Sequence, residues 1–167
     1  MAIKNFWSLN VGEVIVADLI KKNLGKDYTI FMPLDNQLKN IDLVLVNIKT
    51  KKLSTIQVKE SREFTQFLGN GWIIVNKEKV DNLVADFYTF LIYRTIEHEH
   101  HIKVKPEIII VPSKVLKERS ANKRVVKNKD YYYFFKVSDK RAYDDHEGRN
   151  SKIDYSDCLE NFDLLKI

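Results

Sequence analysis

Ile41-Asp42-Leu43-Val44-Leu45-Val46-Asn47-Ile48 and Leu53-Ser54-Thr55-Ile56-Gln57-Val58-Lys59 are the two runs whose reading decides the fold. The first is apolar apart from Asp42 and Asn47, which suits a strand buried on both faces. The second reads as a strand as well. Between them lies the polar connection Lys49-Thr50-Lys51-Lys52, so the pair is predicted to be an antiparallel hairpin. With a four-residue turn, Ile48 faces Leu53, Val44 faces Gln57 and Asp42 faces Lys59. Side chains alternate along a strand, so Asp42, Gln57 and Lys59 share one face while Val58 and Glu60 turn to the other. A carboxylate, an amide and an ammonium thus gather at one end of an otherwise apolar hairpin. Burying such groups is costly unless they pair or hold a ligand. A cross-strand Asp42–Lys59 ion pair is the simplest structural account of them.

Upstream, a first helix is predicted from about Asn10 to Asn23, with Ser8 or Asn10 as its cap and Gly25 as its stop. On a helical wheel Glu13 falls among Val16, Ala17 and Ile20, the apolar arc, whereas Asp18, Lys21 and Lys22 take the other side. A glutamate on the buried side of a helix calls for a cation or a metal nearby. If the helix packs over the hairpin, Glu13 approaches Asp42, and the two form a hard-oxygen site suited to magnesium or manganese, completed by Gln57 and the Val58 carbonyl.

Tyr28 to Met32 reads as a strand ended by Pro33, and 34–40 as a polar loop. Trp72 to Val75, Phe87 to Tyr93, Glu107 to Val111 and Tyr131 to Val137 read as further strands. Ser113 is expected to cap a helix through about Arg119, and Asp157 to Leu165 to form a closing helix. The order predicts one α/β or α+β domain over residues 1–167, with a mixed central sheet flanked by helices and the chemistry-bearing motifs in 10–61. The 167 residues suffice for a single core without staples. Cys158 is the only cysteine, which excludes an intrachain disulfide and a zinc–cysteine cluster. No apolar run is long enough for a bilayer and the first residues do not read as a signal peptide, so a cytoplasmic protein with no membrane partner is expected.

The net charge of +5 permits an anionic partner. Cations concentrate in one block: Lys114, Lys117, Arg119, Lys123, Arg124, Lys127 and Lys129. That block reads either as a solvated helix face and loop or as an electrostatic track for a nucleic acid. Four other patterns carry less. His98-Glu99-His100-His101 lacks a second ligand group and reads as a polar loop. Tyr131-Tyr132-Tyr133-Phe134-Phe135 could stack on bases, but alternation sends only half of it to each sheet face, and core packing is the commoner use. Asp144-Asp145-His146-Glu147-Gly148 is turn-like without calcium-loop spacing. Cys158 with a histidine elsewhere in the chain is too little for a nucleophilic pair.

Glu13, then Asp42, then Gln57-Val58-Lys59 resembles the motif order of the PD-(D/E)XK nuclease superfamily, whose core is a helix, three strands, a helix and a further strand. The segments Ile41-Asp42-Leu43-Val44-Leu45 and Ile56-Gln57-Val58-Lys59-Glu60-Ser61 look much like restriction-endonuclease-like and Holliday-junction-resolvase-like members. Motif content covers roughly Asn10 to Ser61; beyond Arg62 only the strand order is compatible. Two departures stand out. Gln57 occupies a position that is usually Asp or Glu, though some branches use glutamine there. Ile41 replaces the proline before Asp42. The resemblance implies a divalent-metal-dependent DNA endonuclease that leaves a 5′-phosphate. Glu13, Asp42, Gln57 and the Val58 carbonyl would hold Mg2+ or Mn2+, Lys59 would act beside the water and the phosphate, and Ser61, Arg62, Lys114, Lys117, Lys123 and Arg124 would contact DNA. It is compatible with a homodimer. Two other readings remain: a catalytically inactive nucleic-acid-binding module on the same fold, and a small protein-interaction (immunity-like) protein.

Overall fold

The structure, a computed structural model, describes residues 10–33, 40–61, 70–98, 101–145 and 152–167. It is of mixed α/β class, built in three layers. Helix α1 (Val11–Leu24) comes first, followed by strands β1 (Tyr28–Phe31), β2 (Leu43–Asn47), β3 (Leu53–Glu60) and β4 (Asn70–Asn76). A short helix α2 (Lys77–Asp81) precedes the long strands β5 (Phe87–His98) and β6 (His101–Pro112) and helix α3 (Ser113–Ser120). Then come β7 (Val125–Val126), β8 (Asp130–Ser138), β9 (Arg141–Asp144) and β10 (Ile153–Asp154), and two short 3-10 turns, Ser156–Cys158 and Phe162–Leu165.

The first sheet runs β1-β2-β3-β5-β6 and is mixed: β3 pairs β5 in parallel, and every other pair is antiparallel. The second runs β10-β9-β8-β4 with β7 beside β8, antiparallel throughout. On one face of the first sheet, Val16 and Ile20 of α1 bury Leu43, Leu45, Ile56, Val58, Leu91, Ile108 and Ile110. On its other face, Tyr88, Phe90, Ile92, Ile109 and Val111 meet Ile73, Val75, Tyr131, Tyr133, Phe135 and Val137 of the second sheet. One flank of the mixed sheet is therefore helical. The other is a second sheet, which the sequence alone does not separate from the first.

The chain makes α1 for the reasons visible in its sequence. The Asn10 side chain accepts from the Gly12 N–H at 3.0 Å, and the Gly25 N–H closes on the Lys21 carbonyl at 3.2 Å. Gly25 stops the helix at φ 76°, a conformation that costs little only without a Cβ. Ser8, the other capping candidate, lies outside the described residues.

Three expectations are corrected. The hairpin turn keeps four residues but sits one position earlier than expected: Leu43 faces Ile56, Val46 faces Leu53 and the Asn47 N–H donates to the Lys52 carbonyl at 2.9 Å, so 48–51 form the turn. The Asn47 side chain organises it by accepting from the Lys49 and Thr50 N–H groups, both at 3.0 Å. Ser113 is not the cap of α3; Pro112 stands at that position, and the Ser113 hydroxyl is buried and donates to the Ala85 carbonyl. The closing helix does not form. Leu159 instead bridges Ile109, the Glu160 N–H donates to the Ile108 carbonyl at 2.8 Å, and Glu160 turns at φ 48°.

Candidate active site

The register slip in the hairpin is two residues, an even number, so the faces survive it. Gln57 and Lys59 pair with Tyr88 and Phe90 across the parallel ladder and share their face, toward the second sheet. Ile56 and Val58 turn to the α1 side. Asp42 now stands opposite Gln57 rather than Lys59. It sits just before β2, where its N–H donates to the Ile56 carbonyl at 2.9 Å. Its carboxylate caps the strand end: Oδ2 accepts from the Val58 N–H at 2.7 Å and from the Gln57 amide. The same Gln57 amide reaches the Val58 carbonyl at 3.2 Å. Asp42, Gln57 and Val58 O thus converge directly.

Gln57 is only 4% exposed, and its Oε1 is buried with no hydrogen-bond partner. A buried amide oxygen without a donor forfeits about 1–3 kcal/mol, so it is an acceptor available to a ligand. The nitrogen and oxygen of a glutamine amide exchange by a half-turn. With the oxygen turned inward, the groups meeting at this point are a carboxylate, an amide oxygen and a main-chain carbonyl, all hard donors of the kind magnesium takes. The residues therefore fit a divalent cation, with one formal negative charge in place of the usual two. Among the described residues no three His, Cys, Asp or Glu side chains come together as a metal group.

Lys59 lines a cavity of about 380 Å³ together with Asn10 at the start of α1, Val58, Glu60 and Ser61 from the end of β3, and Ile73 and Ile74 of β4. Glu13 is buried on the sheet-facing stripe of α1 with Val16 and Ile20. It stands on the side to which Val58 turns, whereas Gln57 and Lys59 alternate to the opposite face. Glu60 belongs to the α1 side. Its Oε1 accepts from the Tyr93 hydroxyl at 2.5 Å, and its other oxygen lies so near the first turn of α1 that a Cβ on Gly12 would come within 2.6 Å of it. Burial first, and then the Glu60 carboxylate, push the Tyr93 hydroxyl well above its ordinary value. Strand alternation in the sequence already sets Glu60 on the face away from Asp42; its Tyr93 partner, on a distant strand, is what the sequence does not show.

The other expected contacts scatter. Ser61 follows β3, and its N–H donates to the Leu91 carbonyl at 2.9 Å. Arg62 lies outside the described residues, as do Glu99, His100, His146, Glu147 and Gly148. Lys114, Lys117 and Arg124 are exposed. The Lys117 ammonium donates to the Asp81 carbonyl at 2.8 Å. Lys123 corrects the expected track: its side chain is 1% exposed, ion-paired with the equally buried Asp144, and 4.8 Å from the centre of the Tyr133 ring. A buried, paired lysine anchors the core and is out of reach of a phosphate.

Comparison of the chain with protein-family models, with curated proteins and with solved structures gives no match. The functional reading therefore rests on the site. No described helix is long and apolar enough to cross a membrane.

Proposed function

We propose that this protein is a divalent-metal-dependent DNA nuclease whose site is Asp42, Gln57, the Val58 carbonyl and Lys59; Glu13, on the α1 side of β3, stands across the sheet from Gln57 and Lys59 and is left out of it. The carrying observation is the meeting of the Asp42 carboxylate, the Gln57 amide and the Val58 carbonyl, two residues before a lysine that lines a cavity. The surrounding order also supports the reading: α1, three antiparallel strands, then β5 parallel to β3. That is compatible with the core of the PD-(D/E)XK superfamily.

Asp42, Gln57 and the Val58 carbonyl would hold magnesium or manganese, which when bound polarises a phosphate and makes its water more acidic. The Val58 N–H orients the Asp42 carboxylate, and the Val58 side chain locks that strand into the core. The Lys59 ammonium offsets charge that grows on the phosphate oxygens and orients the attacking water. Ser61 and the exposed Lys114, Lys117 and Arg124 supply backbone contacts that hold the strand without reading bases. A cytoplasmic location and a homodimer that cuts both strands complete the proposal.

The test is cleavage of plasmid and branched DNA with magnesium or manganese. Asp42→Asn and Lys59→Ala are each expected to lower the rate at least about 100-fold. Cleavage that survives both changes, or no cleavage with either metal, overturns the proposal. One observation favours a second reading, a non-catalytic nucleic-acid-binding module: the Gln57 amide nitrogen itself donates to the Asp42 carboxylate. Metal-independent, salt-sensitive DNA binding without cleavage is its signature.

A further inference from the structure

Strand β8 alternates strictly. Tyr131, Tyr133, Phe135 and Val137 turn into the core between the sheets, so Tyr132, Phe134 and Lys136 turn to the outer face. The β4 register sets Trp72 opposite Phe134 and Ile74 opposite Tyr132, and the β9 register sets Tyr143 opposite Lys136. Four rings therefore lie on one face of the second sheet. Trp72 is 42% exposed, and the other three are half-buried. The Trp72 and Tyr132 rings stand 6.1 Å apart. Val80 of α2 and Leu116 of α3 belong to the core between the sheets and α1 to the far side of the first sheet, so none of these helices covers the ring face.

Cations stand among the rings. The Lys136 ammonium lies 6.0 Å from the Phe134 ring centre and pairs with Asp145. At the β8–β9 turn, Lys140 and Arg141 are exposed and form no ion pair among the described residues. The acid of that turn, Asp139, is engaged by Arg94 at 2.6 Å.

We propose that this face binds single-stranded nucleic acid, with unpaired bases stacked on Trp72, Phe134, Tyr132 and Tyr143 and phosphates met by Lys136, Lys140 and Arg141. Flat rings beside cations match what an unpaired strand offers, bases with free faces on an anionic backbone. A duplex hides those faces. Ile74, which faces Tyr132 across the strands, also lines the cavity that holds Lys59. A strand on the rings therefore runs to the edge of the candidate site. The inference goes beyond the proposed nuclease activity and does not depend on cleavage.

The test is binding of an oligothymidylate, read by Trp fluorescence and anisotropy in EDTA. Trp72→Ala and Phe134→Ala are each expected to weaken binding roughly 10-fold. Trp72→Phe should restore most of the loss, and the pair Lys140→Glu/Arg141→Glu should weaken binding and flatten its salt dependence. Lys26→Glu, on the far side beyond α1, controls for net charge, and the duplex of the same length should bind more weakly. Circular dichroism checks the fold of each variant. Failure to bind the oligonucleotide overturns the proposal. So does binding indifferent to the rings, or loss of self-association in place of nucleic-acid binding, which would make a second copy the occupant. Ring-dependent binding without metal-dependent cutting sinks the nuclease reading and leaves this one standing; cutting without ring-dependent binding does the reverse.

Discussion

In the β2–β3 hairpin, Gln57 spends its amide nitrogen on Asp42 and on the Val58 carbonyl and leaves its oxygen buried and unpaired. Replacing it by glutamate would set two carboxylates side by side in a partly dry place, where each disfavours the charge of the other. Gln57→Glu is therefore expected to lose about 2 kcal/mol of stability at neutral pH without metal and to regain it in millimolar magnesium. Thermal unfolding with and without the ion reads both, and a variant indifferent to magnesium would remove the cation from this site. Lys123 sets the opposite case. Asp144→Ala would strand a buried ammonium and cost about 3–5 kcal/mol, while Lys123→Met with Asp144→Leu should recover most of that; urea denaturation checks the pair. The convergence on Asp42 was legible because Asp42 and Gln57 interrupt apolar runs at positions that strand alternation sends to the same face of the hairpin. Nothing in the sequence distinguished Lys123 from its neighbours Arg124 and Lys127, since its partner Asp144 lies across the fold.

At the scale of elements, legibility followed the local signals. Helix α1 announces itself by Asn10, by an apolar stripe and by Gly25, all within reach of one another along the chain. Asn10→Ala should destabilise the protein by about 1 kcal/mol, since it frees the Gly12 N–H, and thermal denaturation would show it. Because Asn10 also lines the cavity beside Lys59, any activity should fall more than stability alone explains. The ends of β5 and β6 were hidden. Arg94, Glu97 and His98 and their partners Lys105, Ile102 and His101 continue the ladder past the apolar stretches Phe87–Tyr93 and Glu107–Val111. Backbone pairing does not need an apolar side chain to go on. The closing helix failed for a related reason: Leu159 and Glu160 found backbone partners on β6, and Asp157 was drawn to Arg119 at 2.7 Å. Such long-range competition leaves no trace in local periodicity.

For the molecule as a whole, two cores share one sheet, and the one between the sheets is crowded with ionisable groups in their neutral forms. Burial pushes the Cys158 thiol up to about 11 and the Tyr88 hydroxyl up to about 12. Burial also lifts Tyr133 and Tyr155 well above the ordinary value. Each folded pKa is raised, so the native state holds these protons more tightly than the unfolded chain. Their contribution is complete below about pH 9 and is lost as pH rises toward 11 and 12. Urea midpoints measured from pH 8 to 11 should therefore fall, and Cys158→Ala should flatten the part of the decline between 9 and 11. A flat profile would contradict the burial of these groups. The path of the chain has a further consequence, for folding kinetics. Between β3 and β5 the backbone leaves the first sheet, forms β4 against β8, and only then returns to pair in parallel with β3. The hairpin that carries Asp42 and Gln57 can zip early, at the cost of one short loop. The parallel ladder must wait for a loop of more than two dozen residues to close, and the β4–β8 seam closes over a still longer one. The candidate catalytic groups would then be assembled before the wall of their cavity, and slow refolding phases should track the β4–β8 seam rather than the hairpin.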